Sequence, residues 1–350
     1  MARKTETKAR KKTASKATAK KSARPAAKPA AKPAAKPAEK AAAKPAQKKA
    51  EAPVATPVAS PVSAAPVAAT HEPLLVNEHI ALKRCRHGWF IFNRNDKFVG
   101  RSLDRYGEWC QSELDILTPL LRPGRVVLDI GAFIGSHTVY FAQQVGPRGR
   151  VYSFEPQRHA FQMLCGNVAL NALTNVTCLP YVVGKETGVR RLGELSQTIA
   201  ENFGGTQALV VPAGEPTRTV RVDDLELARC DVMKIDVEGM ELEVLTGAAH
   251  TIERFKPMIY CENNRTDRSA QILGELTRHG YKIWWHILSY YNPNNYFAEK
   301  ENIFAPYWPE ANILCVHESA RVVVKNLMEI TGPTDDWQQA LDRLKSRAKA

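Results

Sequence analysis

Four acids close apolar, strand-like runs: Asp129 after "VVL", Glu155 after "VYSF", Asp236 after "VMKI" and Glu262 after "MIYC". In an open parallel sheet, ligands sit beyond the carboxyl ends of the strands, so this pattern predicts one ligand edge lined by carboxylates. Such groups accept hydrogen bonds from hydroxyls, attract cations, take protons or hold hard metals. The first acid belongs to "LDIGAFIGSHT", where Gly131 and Gly135 predict a tight turn into a helix. No Gly-Lys-Ser/Thr follows Gly131, which excludes a Walker loop, and the third glycine of a dinucleotide fingerprint is missing. An acid before the turn repels a pyrophosphate and favours a cation.

S-adenosylmethionine (SAM) carries a sulfonium and an ammonium, and suits such a loop. Its expected contacts are Asp129, Gly131, Ala132, Gly135 and Thr138, with Glu155 and Pro156 at the end of the next strand and Glu155 accepting the ribose hydroxyls. Asp236 or Glu262 is expected to take a proton from an acceptor hydroxyl, with Glu238 and Lys234 shaping the site. Asp236 and Glu262 could instead hold a divalent metal, and no histidine or spacing decides between the two. Asn202, and Asn292, Asn295 and Asn302 with Tyr291, Tyr296 and Phe304 in a late loop, suit a sugar pocket, although loop turns use asparagine equally. His137 is expected to be a helix-start residue, and Glu238 and Glu241 to favour the start of the following helix.

Positioning the acids requires strands alternating with helices. "RVVLDI", "RVYSFE", "NVTCLPYVVG", "DVMKID" and "PMIYCE" are the expected strands, and "SHTVYFAQQV", "HAFQMLCGNVALN", "MELEVLTGAAHTIERF" and "SAQILGELTRHG" the expected helices. "YKIWWHI" and "NILCVH" follow without room for a crossover helix, so the last strand is expected to return antiparallel. The predicted class is α/β, a mostly parallel seven-stranded sheet over 125–320. A hairpin and cap helix through Leu114, Leu117 and Leu121 are expected over 71–124, and a surface helix over 321–350.

Residues 1–52 hold seventeen Lys or Arg against three Glu, a net of +14, while the whole chain is +13, so the remainder is close to neutral. The repeating "AAKPAAKPAAKPAEK" and the Pro-rich run to residue 70 cannot bury a core, and a disordered basic tail and linker is expected. Such a tail neutralises polyanions such as nucleic acid without reading sequence, or serves only as a solubilising tether. No run approaches a membrane span and no secretory apolar region follows the basic start, so a cytoplasmic location is expected. Seven scattered cysteines, with no C-x-x-C, suggest reduced thiols.

"VVLDIGAFIGSHTVYFA", "GPRGRVYSFEPQRHAFQMLCGNVALN", "DVMKIDVEGMELEVLTGA" and "PMIYCEN" together resemble the FkbM family of class I SAM-dependent methyltransferases over about residues 85–317. The resemblance implies a Rossmann-like fold, SAM as cofactor, and O-methylation of a hydroxyl on a sugar, glycan or other small metabolite. It implies nothing about the basic tail. Two alternatives stand beside it. One is a methyltransferase-fold binding protein tethered to nucleic acid or an anionic surface. The other is a nucleic-acid methyltransferase, disfavoured because "DVEG" stands where an N/D-P-P-Y/F tetrad belongs.

Overall fold

The computed structural model describes residues 72–347 except 195, 206–210, 212, 306 and 308. The expected tail over 1–70 lies outside the described residues. β1 (Leu74–Leu75), β2 (Ile80–Cys85) and β3 (Gly88–Asn93) form an antiparallel sheet, followed by α1 (Val99–Tyr106) and α2 (Gln111–Leu117). Then come β4 (Val126–Ile130), α3 (Ser136–Val145), β5 (Arg150–Phe154), α4 (Arg158–Leu170) and β6 (Val176–Leu179). β7 (Val182–Val183), β8 (Gly188–Leu192) and β9 (Glu215–Val220) make a second small sheet. β10 (Val232–Ile235), α5 (Glu241–Gly247), α6 (Ala249–Phe255), β11 (Met258–Glu262), α7 (Thr266–Arg278), β12 (Tyr281–Leu288), β13 (Glu310–His317), β14 (Met328–Glu329) and α8 (Trp337–Arg347) complete the chain.

The main sheet has the order β14-β12-β13-β11-β10-β4-β5-β6. β11, β10, β4, β5 and β6 pair in parallel, and β13 runs antiparallel between β11 and β12. The order reverses between β4 and β10, the switch point at which a doubly wound sheet opens a crevice. Strand alternation divides the core. Val127, Val151, Val232 and Tyr260 pack under α2 and α3, while Leu128, Met233, Ile259 and Cys261 pack under α5 to α8. Both faces are covered, which is why these strands read as unbroken apolar runs.

Several details depart from expectation. The third strand breaks at Pro180, which cannot donate to a ladder, so β6 stays in the main sheet and β7 joins β9. The stretch 184–222, expected to be irregular, supplies β8 and β9. The single helix expected over 240–255 is two, α5 and α6, meeting at Ala248. An eighth strand, β14, extends the predicted seven at the β12 edge. One cap helix was expected and two are found, with Leu121 beyond the end of α2. The terminal helix begins at Trp337, and Trp337 and Ala340 are buried in the core, with Leu341 and Leu344 beside them.

Candidate active site

The glycine turn leaving β4 is shaped by the neighbouring strand. A Cβ on Gly131, which has φ 85°, would lie 1.7 Å from the Asp236 carbonyl oxygen, so no other residue fits between the two strand ends. The amides of Gly131 and Ala132 both donate to the Phe154 carbonyl, at 3.0 and 2.9 Å. The turn is therefore tied to the sheet instead of offering bare N–H groups. Gly135, φ 84°, caps α3 against Leu164.

Glu155 follows β5 and is 5% exposed. Its Oε2 accepts the Phe133 amide at 2.9 Å and its Oε1 the Gln157 amide at 2.7 Å. Each oxygen keeps a lone pair for a ligand. Burial raises its carboxyl to about 7, against the pull of those two amides. Glu155 lines a partly open cleft together with Gly131, Ala132, Pro156 and Asn202.

Across the cleft lie Lys234, Asp236, Glu238 and Glu262. Lys234 is 2% exposed and its Nζ lies 2.8 Å from Asp236 Oδ2. Burial alone would lower its pKa, but Asp236, Asp129 and Glu113 outweigh that and keep it protonated. Glu238, at φ 54°, is a non-glycine residue in the left-handed region, and its side chain lies at the cleft, where Arg265 approaches to 3.3 Å. Burial and then the Asp236 and Glu310 carboxylates raise Glu238 to about 8. Glu262 ends β11, and burial followed by repulsion from Asp236, Glu238 and Glu310 pushes its carboxyl well above the usual range. Carboxylate oxygens of Asp236, Glu238 and Glu262 lie within 4.8 Å of one another.

Two groups of expected site residues sit elsewhere. Asp129 is the fourth residue of β4 and is fully buried; Thr138 Oγ1 donates to its Oδ2 at 2.5 Å, and Oδ1 has no donor among the described residues. Asp129, Thr138 and Gly135 thus support the turn from below and do not line the cleft. The late-loop asparagines build their own loop. Asn292 donates to Glu108 at 2.6 Å, Asn295 donates to the Asn292 and Glu299 carbonyls and accepts the Glu299 amide, and Asn302 accepts the Phe304 amide. Tyr290 faces the cleft in place of Tyr291, Tyr296 and Phe304.

Sequence reasoning missed Glu310 and Glu113, which line the cleft, and His137, the second residue of α3 and so at the expected helix start, lines it too. Glu310 opens β13, and because that strand is antiparallel its first residue lands on the edge where its neighbours end. Tyr290 donates to Glu310 Oε2, and burial with Asp236 nearby raises Glu310 to about 7. Glu113 from α2 lies 3.0 Å from His137 Nε2 and accepts Asn312 Nδ2 at 3.0 Å. Burial would raise Glu113, but His137, Lys234 and His286 hold it below its ordinary value. The cap and the late loop are joined by the Arg105–Glu299 pair at 2.7 Å, and the Ile303 amide donates to Tyr106 Oη at 2.8 Å.

A doubly wound sheet with one antiparallel strand beside β11, and an acid-lined cleft at its switch point, defines the class I methyltransferase fold. Residues 129–283 match the family model of the methyltransferase FkbM domain. Methyltransferase sdnD of Sordaria araneosa is 30% identical over 156 residues, covering 35% of this chain and 59% of that protein. Hexuronic acid methyltransferase AglP of Haloferax volcanii is 27% identical over 150 residues, covering 41% and 59%. The 31-O-demethyl-FK506 methyltransferase FkbM of Streptomyces tacrolimicus is 28% identical over 198 residues, covering 47% and 75%. The chain therefore spans 59% of the length of the first two relatives. The solved structure of methyltransferase FkbM from Methylobacillus flagellatus KT shares 20% identity, covering 54% of this chain and 42% of its own, at a TM-score of 0.35; the fold assignment here stands on strand order. Among the described residues no helix is long and apolar enough to cross a membrane.

Proposed function

We propose that the protein is a SAM-dependent methyltransferase acting on a hydroxyl of a sugar or other small metabolite. The observation that carries this reading is Glu155: a buried carboxylate, aimed by two backbone amides, whose remaining lone pairs face a cleft beside the glycine turn. Acceptor-only oxygens suit a ribose diol, and the acids opposite suit a ligand that carries positive charge. The residues present therefore fit SAM, which when bound supplies a methyl group on a sulfonium. Gly131, Ala132 and Pro156 form the wall beside Glu155. Asp236, at the end of β10, takes the acceptor's proton, and Lys234 fixes its orientation from below. The cap and Tyr290 exclude water and orient the acceptor. The names of the FK506 and hexuronic acid relatives support a small, oxygen-rich acceptor.

Calorimetric titration with S-adenosylhomocysteine, with NAD in parallel, tests the cofactor. Only the former is expected to bind, and Glu155→Ala is expected to weaken it about 10- to 100-fold, from the loss of charge-assisted hydrogen bonds. Because the carboxyl of Glu155 sits at about 7, wild-type affinity falls as pH drops through that value, whereas Glu155→Ala loses this dependence. A folded protein that binds no S-adenosylhomocysteine refutes the reading.

The basic segment up to residue 70 is proposed to hold nucleic acid by charge neutralisation, on the strength of its +14 in residues 1–52. Its deletion is expected to abolish salt-sensitive retention on duplex DNA and to leave S-adenosylhomocysteine binding unchanged. Equal retention without the segment contradicts this.

A further inference from the structure

Hydrogen bonding within the protein leaves the acid cluster incomplete. Glu262 is 5% exposed, and its Oε1 accepts the Asn264 side-chain amide. Its Oε2 is buried and, with the acids ionised, meets no hydrogen-bond donor among the described residues; only a proton shared with Glu310 would partner it from within the protein. A buried carboxylate oxygen in that state is costly unless something else neutralises it. The same carboxylate lies within 4.8 Å of those of Asp236 and Glu238, and Glu310 approaches it from β13.

Charge points the same way. Four carboxylates converge here against two cations, Lys234 on Asp236 and Arg265 on Glu238. Lys234 engages one oxygen of Asp236, Oδ2, by hydrogen bond. Ionised together, the four carboxylates outnumber these two cations, and Lys234 is shared with Asp129 and Glu113 as well. The converging donors are all carboxylate oxygens, with no thiolate or imidazole among them, a set that suits hard cations such as Mg²⁺, Mn²⁺ or Ca²⁺.

We propose that Asp236, Glu238 and Glu262 bind one hard divalent cation at the ends of β10 and β11, across the cleft from Glu155. Three carboxylates leave coordination positions for water or ligand oxygens. The acceptor class that such a cation selects has two neighbouring oxygens, as in a vicinal diol. The cation site stands on the cluster itself, while its use for an acceptor rests on the methyltransferase reading.

Titration of the metal-stripped full-length protein with Mn²⁺, followed by electron paramagnetic resonance of the free ion, tests the site. One tightly bound Mn²⁺ per chain is expected. Glu262→Gln is expected to raise its dissociation constant about tenfold or more, with circular dichroism and S-adenosylhomocysteine affinity preserved. If Glu262→Gln melts early, Glu238→Gln, at the cleft surface, provides the same comparison. Absence of Mn²⁺ binding in a protein that binds S-adenosylhomocysteine overturns the cation site and spares the methyltransferase reading. Equal Mn²⁺ binding by wild type and both variants also overturns it. Mn²⁺ binding that depends on Glu262, in a protein indifferent to S-adenosylhomocysteine, keeps the site and removes the reading.

Discussion

Replacing Lys234 by methionine is expected to cost about 3–5 kcal/mol of stability, because it leaves buried carboxylates without their shared cation. In melting temperature this is roughly 10 °C for a folded part of this size. Lys234 shares the β10 face of Val232 and is surrounded by Asp236, Asp129 and Glu113. Methionine matches its length and apolar stem, so lost packing accounts for little of the effect. An unpaired buried carboxylate is relieved by taking up a proton, and the deficit should therefore shrink as pH is lowered. Denaturant unfolding of both proteins at pH 8 and pH 6 measures this. A difference below about 1 kcal/mol at pH 8, within the range of an exposed ion pair, would show that the three acids do not depend on Lys234.

The second large effect is on rate. Asp236→Asn is nearly isosteric, its side-chain oxygen can still accept from Lys234, and Lys234 keeps Asp129 and Glu113 as countercharges, so the variant should stay folded. Removing the Asp236 carboxylate, which takes the proton in the cation-free site and holds the cation in the loaded one, is expected to lower the methyl-transfer rate about 10²- to 10⁴-fold at saturating acceptor, with S-adenosylhomocysteine affinity nearly unchanged. Single-turnover assays, using an acceptor found by screening sugars, give the rate free of product release. A variant with wild-type rate places the base elsewhere, with Glu238 and Glu310, raised to about 8 and about 7, next to examine.

The sheet and most of the carboxylate edge were legible because buried parallel strands produce apolar runs whose ends are visible. Glu155 and Asp236 lie just past their strands and Glu262 closes β11, and all three face the cleft. Asp129 looked equivalent, but it lies within β4, where alternation turns it toward α3 and Thr138. A difference of one or two residues in strand end is below what a run of valines and leucines reveals. Glu310 was hidden for a topological reason: an acid at the start of a run gains meaning only once that strand is known to be reversed. The asparagines of the late loop were ambiguous because the amide that suits a sugar hydroxyl also closes a turn. α1 was missed because only Val99, Leu103 and Tyr106 of its larger side chains carry its buried face, in an otherwise polar segment.

The bonds that fasten the cap to the late loop and to β13 join residues almost 200 positions apart: 194 for Arg105 with Glu299, 197 for Tyr106 with Ile303, and 199 for Glu113 with Asn312. Contacts this distant form late, after the intervening chain has paid its loop-closure entropy. On the ribosome, the glycine turn and Glu155 emerge well before the segment that roofs them. A chain halted ahead of Glu299 would carry the glycine turn and Glu155 without Glu310 or the partners of Arg105, Tyr106 and Glu113. The side of the cleft opposite Glu155 is thus completed late, by residues far along the chain from the cap they fasten.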